Sequence, residues 1–315
     1  MDDRAMETTS FEYRGAPKRQ GWLRGWIRAV LAQPTAKIGL AIVICFVLAA
    51  LAQPILFATV WPRNIYDPRA GFDMSTTHPA PISWAHPLGT DGFGKDALSM
   101  LLAGTGPSLI AAATAAFASA ILALTLASVV ASYRRVGRVV NVLIDGALFV
   151  PIPVVMLILG ADPRADRLTP ALFGLIFGAL TGASSGALVL RSQALPLMGA
   201  EYVEAARVAG ASRRQLIFRH LVPSLLPLAG VYAVLGAGGA IVTQGFLAWL
   251  AYSASKSDWG TLIYWAMTTQ LFSGGLQWNI IIAAGIAISS LTLGFFLLAT
   301  GLRRAAETPP LSTRG

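Results

Sequence analysis

The residues able to do chemistry fall into four groups. The first runs Glu201-Tyr202-Val203-Glu204-Ala205-Ala206-Arg207-Val208, an Ala-rich stretch of good helix formers. Gly210 follows, a residue that takes the left-handed conformation closing a helix. Ser212 then stands three residues before Gln215, the spacing of a capping box that starts another helix. Ala205, Ala206 and Gly210 are small, so a foreign surface can approach the backbone closely. Glu204 and Arg207 can pair with that surface, and Tyr202 can anchor one end. This is the chemistry of contact rather than of bond making. The plainer alternative is a helix lying on a bilayer surface.

The second group is His86-Pro87-Leu88-Gly89-Thr90-Asp91, with Lys95 and Asp96 just beyond. Pro87 and Gly89 shape a turn, and Asp91 can cap the start of a following helix. His86, Gly89, Asp91 and Asp96 are candidates for a structural or gating role rather than a substrate site. The third group is Asp145, an ionisable residue inside an apolar run, where isolated burial is costly. Arg191 lies at a depth to pair with it. A helix–helix contact and a proton relay both remain open, and a lone Asp near the end of a span makes a poor relay. The fourth group is Thr243 and Gln244, polar within another apolar run beside Gly236, Gly238 and Gly239. They are candidates to line a pore, or to be satisfied within the helix packing.

Several chemistries are excluded. No Gly-x-x-x-x-Gly-Lys-Ser/Thr phosphate loop occurs, and Gly92-Phe93-Gly94-Lys95 is too short for one. The three histidines, His78, His86 and His220, have no metal-ligand spacing and support no Ser–His–Asp arrangement. Cys45 is the single cysteine, so an intrachain disulfide is impossible. The chain is expected not to be an enzyme and to bind no metal or cofactor directly.

The elements that position these groups are membrane helices. Of 315 residues, 55% are hydrophobic and 12% charged, and mean hydropathy is +0.62. A soluble domain carries about 25% charged residues. The net charge of +9 does not mark a nucleic-acid binder, because the basic residues flank apolar runs instead of gathering on one domain. Spans of about twenty apolar residues are expected at 38–58, 108–132, 139–160, 168–190, 224–250 and 278–301. If residue 1 is cytoplasmic, the inside segments hold 18 of the 24 Lys and Arg residues. The positive-inside rule then places both termini, and the Glu204–Gly210 loop, in the cytoplasm. The first apolar run comes too late for an ordinary cleaved signal peptide, so no cleavage is expected.

The expected organisation is all-α. A cytoplasmic tail covers 1–35 and a first transmembrane helix 36–58. An extracytoplasmic loop and lead-in cover 59–103. A five-helix core spans 104–302, with a cytoplasmic loop at 199–223, and a cytoplasmic tail closes the chain at 303–315.

Glu204-Ala205-Ala206, then Gly210, Phe218-Arg219-His220 and Pro223, resemble the EAA loop of binding-protein-dependent ABC importer permeases, in the peptide branch. His86 to Asp91 resembles the HPLGTD segment of the same branch. Lys95 stands where that branch usually has arginine, and Lys lacks the planar fork. Ser257-Asp258-Trp259-Gly260 and Phe295 to Arg303 are similar to the family's later segments, without their prolines and polar residues. The resemblance covers about residues 30–305. It implies a six-span, type I ABC importer permease in a prokaryotic cytoplasmic membrane. Its partners would be a second, homologous permease, two cytoplasmic ATPases that use ATP and Mg, and an extracytoplasmic substrate-binding protein, with no nucleic acid. The EAA loop would be the ATPase-coupling helix. The implied cargo is a di- or oligopeptide, with nickel, glutathione or oligosaccharides as alternatives. A secondary transporter should show midplane ionisable residues and inverted repeats; only Asp145 and no clear repeat are present. A membrane scaffold would leave the coupling loop without a purpose.

Overall fold

The computed structural model describes residues 22–161, 168–250, 258–269 and 275–307. Most of both expected tails, and Ser257, lie outside the described residues. The described chain is helical, with a single isolated bridge between Thr90 and Asp96. In order the helices are α1 (Trp22–Ala32), α2 (Pro34–Thr59), α3 (Arg63–Tyr66), α4 (Ala97–Ser132), α5 (Arg134–Ala147) and α6 (Ile152–Gly160). α7 (Pro170–Thr181) continues through a π turn, Gly182–Gly186, into α8 (Ala187–Met198). α9 (Glu201–Val208) and α10 (Arg213–Leu216) follow, then a second π turn, Ile217–Leu221, which opens into α11 (Val222–Trp249). α12 (Trp259–Thr268) and α13 (Trp278–Glu307) complete the described residues.

Among the described residues five helical stretches are long and apolar enough to cross a membrane: 34–59, 97–132, 170–198, 213–249 and 278–306. The third expected span, 139–160, is not one helix. α5 and α6 meet at a bend of 77° and make a sixth span only as a broken pair. Pro151 and Pro153 account for the break. A proline removes a backbone N–H donor and pushes the residue before it out of the helical region. The lead-in and the second span, in contrast, are one helix of 36 residues that passes through Pro107.

A seam of small residues holds the centre together. On α4, Ala111, Ala115, Ser119, Ala123 and Ala127 recur every fourth residue and are all buried. On the facing stretch Gly174, Gly178, Gly182 and Gly186 keep the same interval. A Cβ at Gly174 or Gly178 would lie 2.2 Å from the carbonyl oxygen of Ala111 or Ala115, and one at Gly182 2.6 Å from that of Ser119. Lipid offers little hydrophobic drive for pairing apolar helices, so close backbone approach supplies the attraction.

α2 sits at the periphery. Its apolar side chains Ile38, Ile44, Leu48, Leu51 and Ile55 point outward, and its inner face meets α13 through glycine. A Cβ at Gly39 would stand 2.5 Å from the Gly294 carbonyl oxygen, and one at Gly301 2.5 Å from the Ala36 side chain. The bundle thus has two working ends. The long loop 60–96 closes the end where α4 begins, and α9 and α10 lie at the other.

Candidate functional site

At the α9–α10 end the fold turns a short helix outward. Val203 is the buried residue of α9, packing with Leu216, Leu221 and Leu225 on Ala123, Ala127 and Met198. Ala206 is half-buried against the same cluster, whereas Tyr202, Glu204, Ala205, Arg207 and Val208 are exposed. Gly210 ends the helix at φ +87°, and a Cβ there would touch nothing within 4 Å. Glycine is therefore required by backbone conformation, not by space. The Ser212 hydroxyl accepts from Gln215 N at 3.3 Å, and Gln215 Oε1 accepts from Ser212 N at 2.8 Å, completing the capping box. Glu204 and Arg207 are paired with each other at 2.7 Å. Tyr202 lies against the His220 ring, with centroids 6.1 Å apart.

Two further contacts tie this end to the broken span. Arg191 Nη2 donates to Asp145 Oδ1 at 2.6 Å, and Nη1 donates to the side chain and backbone carbonyl of Asn141. α8, which feeds α9, is so fixed to α5. The Arg213 guanidinium stacks over the Tyr133 ring at 5.2 Å and joins α10 to the α4–α5 corner. Neither Asn141 nor Tyr133 was legible as a partner, because nothing in their spacing marks them.

The loop end is closed by a buried trio. His86 Nδ1 lies 2.9 Å from Asp96 Oδ2, and His86 Nε2 lies 3.2 Å from Asp73 Oδ2. Both contacts are hydrogen bonds if the ring is doubly protonated, or if it is neutral and one carboxyl holds a proton. Tyr66 lies alongside. Its hydroxyl donates to Ala85 O at 2.9 Å, and its own carbonyl accepts from Ser99 Oγ. Asn279 on α13 donates to Leu88 O and pins the loop to the last helix. Gly89, at φ +75°, sits where a Cβ would meet Ala80 O at 2.7 Å.

The helix cap differs from the sequence expectation. Asp96, not Asp91, caps α4, accepting from Ser99 N at 2.7 Å. Asp91 accepts instead from Phe93 N and Lys95 N and holds the tight turn before the helix. The carboxyls are tuned in opposite directions. The hydroxyl and backbone N–H of Ser75 pull Asp73 down to about 2, with a smaller contribution from His86. Burial pushes Asp96 up against the opposing effect of His86, and burial also raises Asp91 against the N–H groups that face it. Asp73 escaped notice in the sequence, since it lies thirteen residues before His86 with no motif between them. Among the described residues no cluster of three or more His, Cys, Asp or Glu side chains is arranged to hold a metal ion.

Thr243 and Gln244 are buried inside the packing around α11. Neither lines either of the two grooves described below. The polar face of α11 that meets open space lies nearer the α9–α10 end, at Ser224 and Tyr232.

Residues 119–307 match the family described as binding-protein-dependent transport system inner membrane component. The chain is 30% identical over 292 residues to a protein of Brucella suis biovar 1 provisionally named a peptide transport system permease protein, covering 91% of this chain and 92% of that one. It is 32% identical over 228 residues to the oligopeptide transport system permease protein OppC of Haemophilus influenzae, covering 69% and 70%. It is 26% identical over 311 residues to the glutathione transport system permease protein GsiD of Pectobacterium atrosepticum, covering 96% of each.

Proposed function

This chain belongs to the binding-protein-dependent transport system inner membrane components, in the peptide-permease branch of the ABC importers, and from that premise we propose that it carries peptides across the cytoplasmic membrane as one half of a paired permease. The observation that carries the reading is the α9–α10 turn. It is a preorganised, capped helix pair that seats Val203 and Leu216 on the core and turns Tyr202, Glu204, Ala205 and Arg207 outward. Tyr202, Glu204, Ala205, Ala206, Arg207 and Gly210 would be the contact for a cytoplasmic ATPase.

In this reading both termini are cytoplasmic, as the Lys and Arg distribution supports. The partners are a second permease, two ATPases that bind ATP and Mg, and an extracytoplasmic binding protein. This chain binds no nucleotide. ATP-driven closure of the ATPases pushes on α9, and the contacts of Arg191 with Asp145 and of Arg213 with Tyr133 pass that push to the broken α5–α6 span. The loop end faces the binding protein, which selects most of the cargo. Peptides are the cargo class that the OppC and Brucella relatives support. The glutathione permease relative fits the same class, glutathione being a γ-linked tripeptide.

The test is a pull-down from mildly solubilised membranes, comparing the native chain with Gly210→Leu. The native chain should bring down an ATPase and a second permease, and the variant should keep the permease and lose the ATPase. If the native chain brings down neither, a self-contained transporter or a scaffold becomes the better account.

A further inference from the structure

Two grooves meet in the half of the bundle nearer α9 and α10. The smaller, of about 150 Å³, lies mid-span between α4, the first π turn and α11, and is lined by Ser119, Thr181, Ser185 and Tyr232 with Gly236 and Gly239. The larger, of about 620 Å³, runs between α8, α11 and α13 and is lined by Gln193, Ser224, Thr300 and Arg303 among apolar residues. Tyr232 and Leu235 belong to both, so the recess opens into the groove.

The serine and threonine hydroxyls here share one property. Ser119 donates to Ala116 O at 3.1 Å, and Thr181 to Phe177 O at 3.0 Å. Ser185 donates to Thr181 O at 3.3 Å, Ser224 to His220 O at 2.8 Å, and Thr300 to Phe296 O at 2.9 Å. Each proton is committed to the hydroxyl's own helix. What remains for the open space is oxygen lone pairs. The π turn adds to this, because it interrupts the regular carbonyl ladder beside Ser185, and such turns are frequent at functional sites. Gly236 keeps the recess open, since a Cβ there would stand 2.9 Å from Ser119 Oγ. The result is a row of serine and threonine acceptors on largely apolar walls, with Gln193, Tyr232 and Arg303 as the lining donors and no carboxylate among the described lining residues. Acceptors spaced along an apolar groove suit a solute that offers N–H donors at intervals. That is the backbone of an extended peptide, whatever its side chains.

We propose that this groove is the stretch of solute path contributed by this chain, and that its hydroxyls accept hydrogen bonds from the N–H groups of a peptide in passage. The proposal rests on the importer reading. The competing occupant is a lipid acyl chain, which would need no acceptors.

The experiment uses the assembled importer in membrane vesicles, with Cys45→Ser removing the single native thiol. Cysteines are placed at Ser185→Cys, at Leu235→Cys and, as a buried control on α11, at Ala240→Cys. A charged methanethiosulfonate reagent attacks only thiols that meet water. Ser185→Cys and Leu235→Cys should react at least about tenfold faster than Ala240→Cys. Trialanine should slow them severalfold, and trisarcosine, which has no amide N–H, should not. Reaction no faster than the control places lipid or protein in the groove and overturns the proposal. Equal protection by both peptides, or by neither, overturns the acceptor role. ATP hydrolysis stimulated by binding protein is measured in the same vesicles. If it persists, the importer reading survives these failures; if the native chain lacks it, that reading fails on its own.

Discussion

At the start of α4, Asp96 is 1% exposed, caps the helix and faces His86, which Asp73 holds from the other side. Where α4 meets α9, Glu204 and Arg207 stand in the open and, among the described residues, pair only with each other. The loop end answers its strong polar groups from within the chain. The α9–α10 end buries a Val203 and Leu216 footing and turns its charges outward. A buried ion pair is expensive to break and need not stabilise much when intact, so it specifies a shape. An exposed pair contributes little to folding and is free to be exchanged for a partner's charges. The first end is built to hold one conformation, and the second leaves its charges open to solvent.

The comparison can be broken most sharply at His86. His86→Ala leaves two inward-facing carboxyls without their shared partner and should cost about 3–5 kcal/mol. The loop 60–96 should then become open to added protease, with a lowered melting temperature in detergent. Unchanged melting would show that the loop end is no more tightly built than the other.

Gly210 comes next. A non-glycine residue at φ +87° costs about 1–2 kcal/mol, far less than the loss at His86, yet ATPase capture should fail. Gly210→Asn tolerates that conformation better and should retain more ATPase than Gly210→Leu. Equal loss in both would assign the defect to side-chain bulk instead of backbone.

Acid should separate the ends as well. Asp73 is lowered from its ordinary value to about 2, so its contribution is complete above about pH 4 and is lost as pH falls through 2. Asp91 and Asp96 are raised, so they favour the folded loop at acid pH and oppose it as pH rises through their own values. Loop protection in the native chain should therefore weaken between about pH 4 and 2, and Asp73→Asn should remove that step. A step that persists in the variant would belong to another group.

The smallest expected effect on stability is at Arg207. Arg207→Ala removes an exposed i,i+3 pair worth roughly 0.3–0.5 kcal/mol. Melting should not move measurably, while ATPase retention falls. A large drop in stability would mean that α9 is part of the core and not a surface laid upon it.

Much of this was legible in the residues. Gly210 and the Ser212–Gln215 box announced the α9–α10 turn because capping is local: the groups that satisfy each other lie within four residues. Asp145 and Arg191 could be matched by depth, since both sit in helices of known direction. The loop end was only half legible. Asp91 and Asp96 both suit a helix cap, and the choice between them depends on which of the two finds His86, a tertiary contact. Asp73 belongs to the same trio through a chain fold that no short spacing encodes. The break at Pro151 was written in two prolines, but hydropathy averages across it and reports one span. The small-residue seam left a clear trace, four glycines and five small residues of α4 at intervals of four. Thr243 and Gln244, pore candidates by their polarity, are buried within this chain, and the hydroxyls that meet open space are common residues with no motif.

The glycine seam between α2 and α13 sets an order of assembly. Gly39 leaves the ribosome about 250 residues ahead of Gly294, and at about 5–20 residues per second the wait is roughly 10–50 s. During that time α2 stands in lipid without the surface it is shaped for, and its small inner face is available to any neighbouring helix with a matching groove. The Gly39 face of α2 is thus made well before the α13 surface that it docks on.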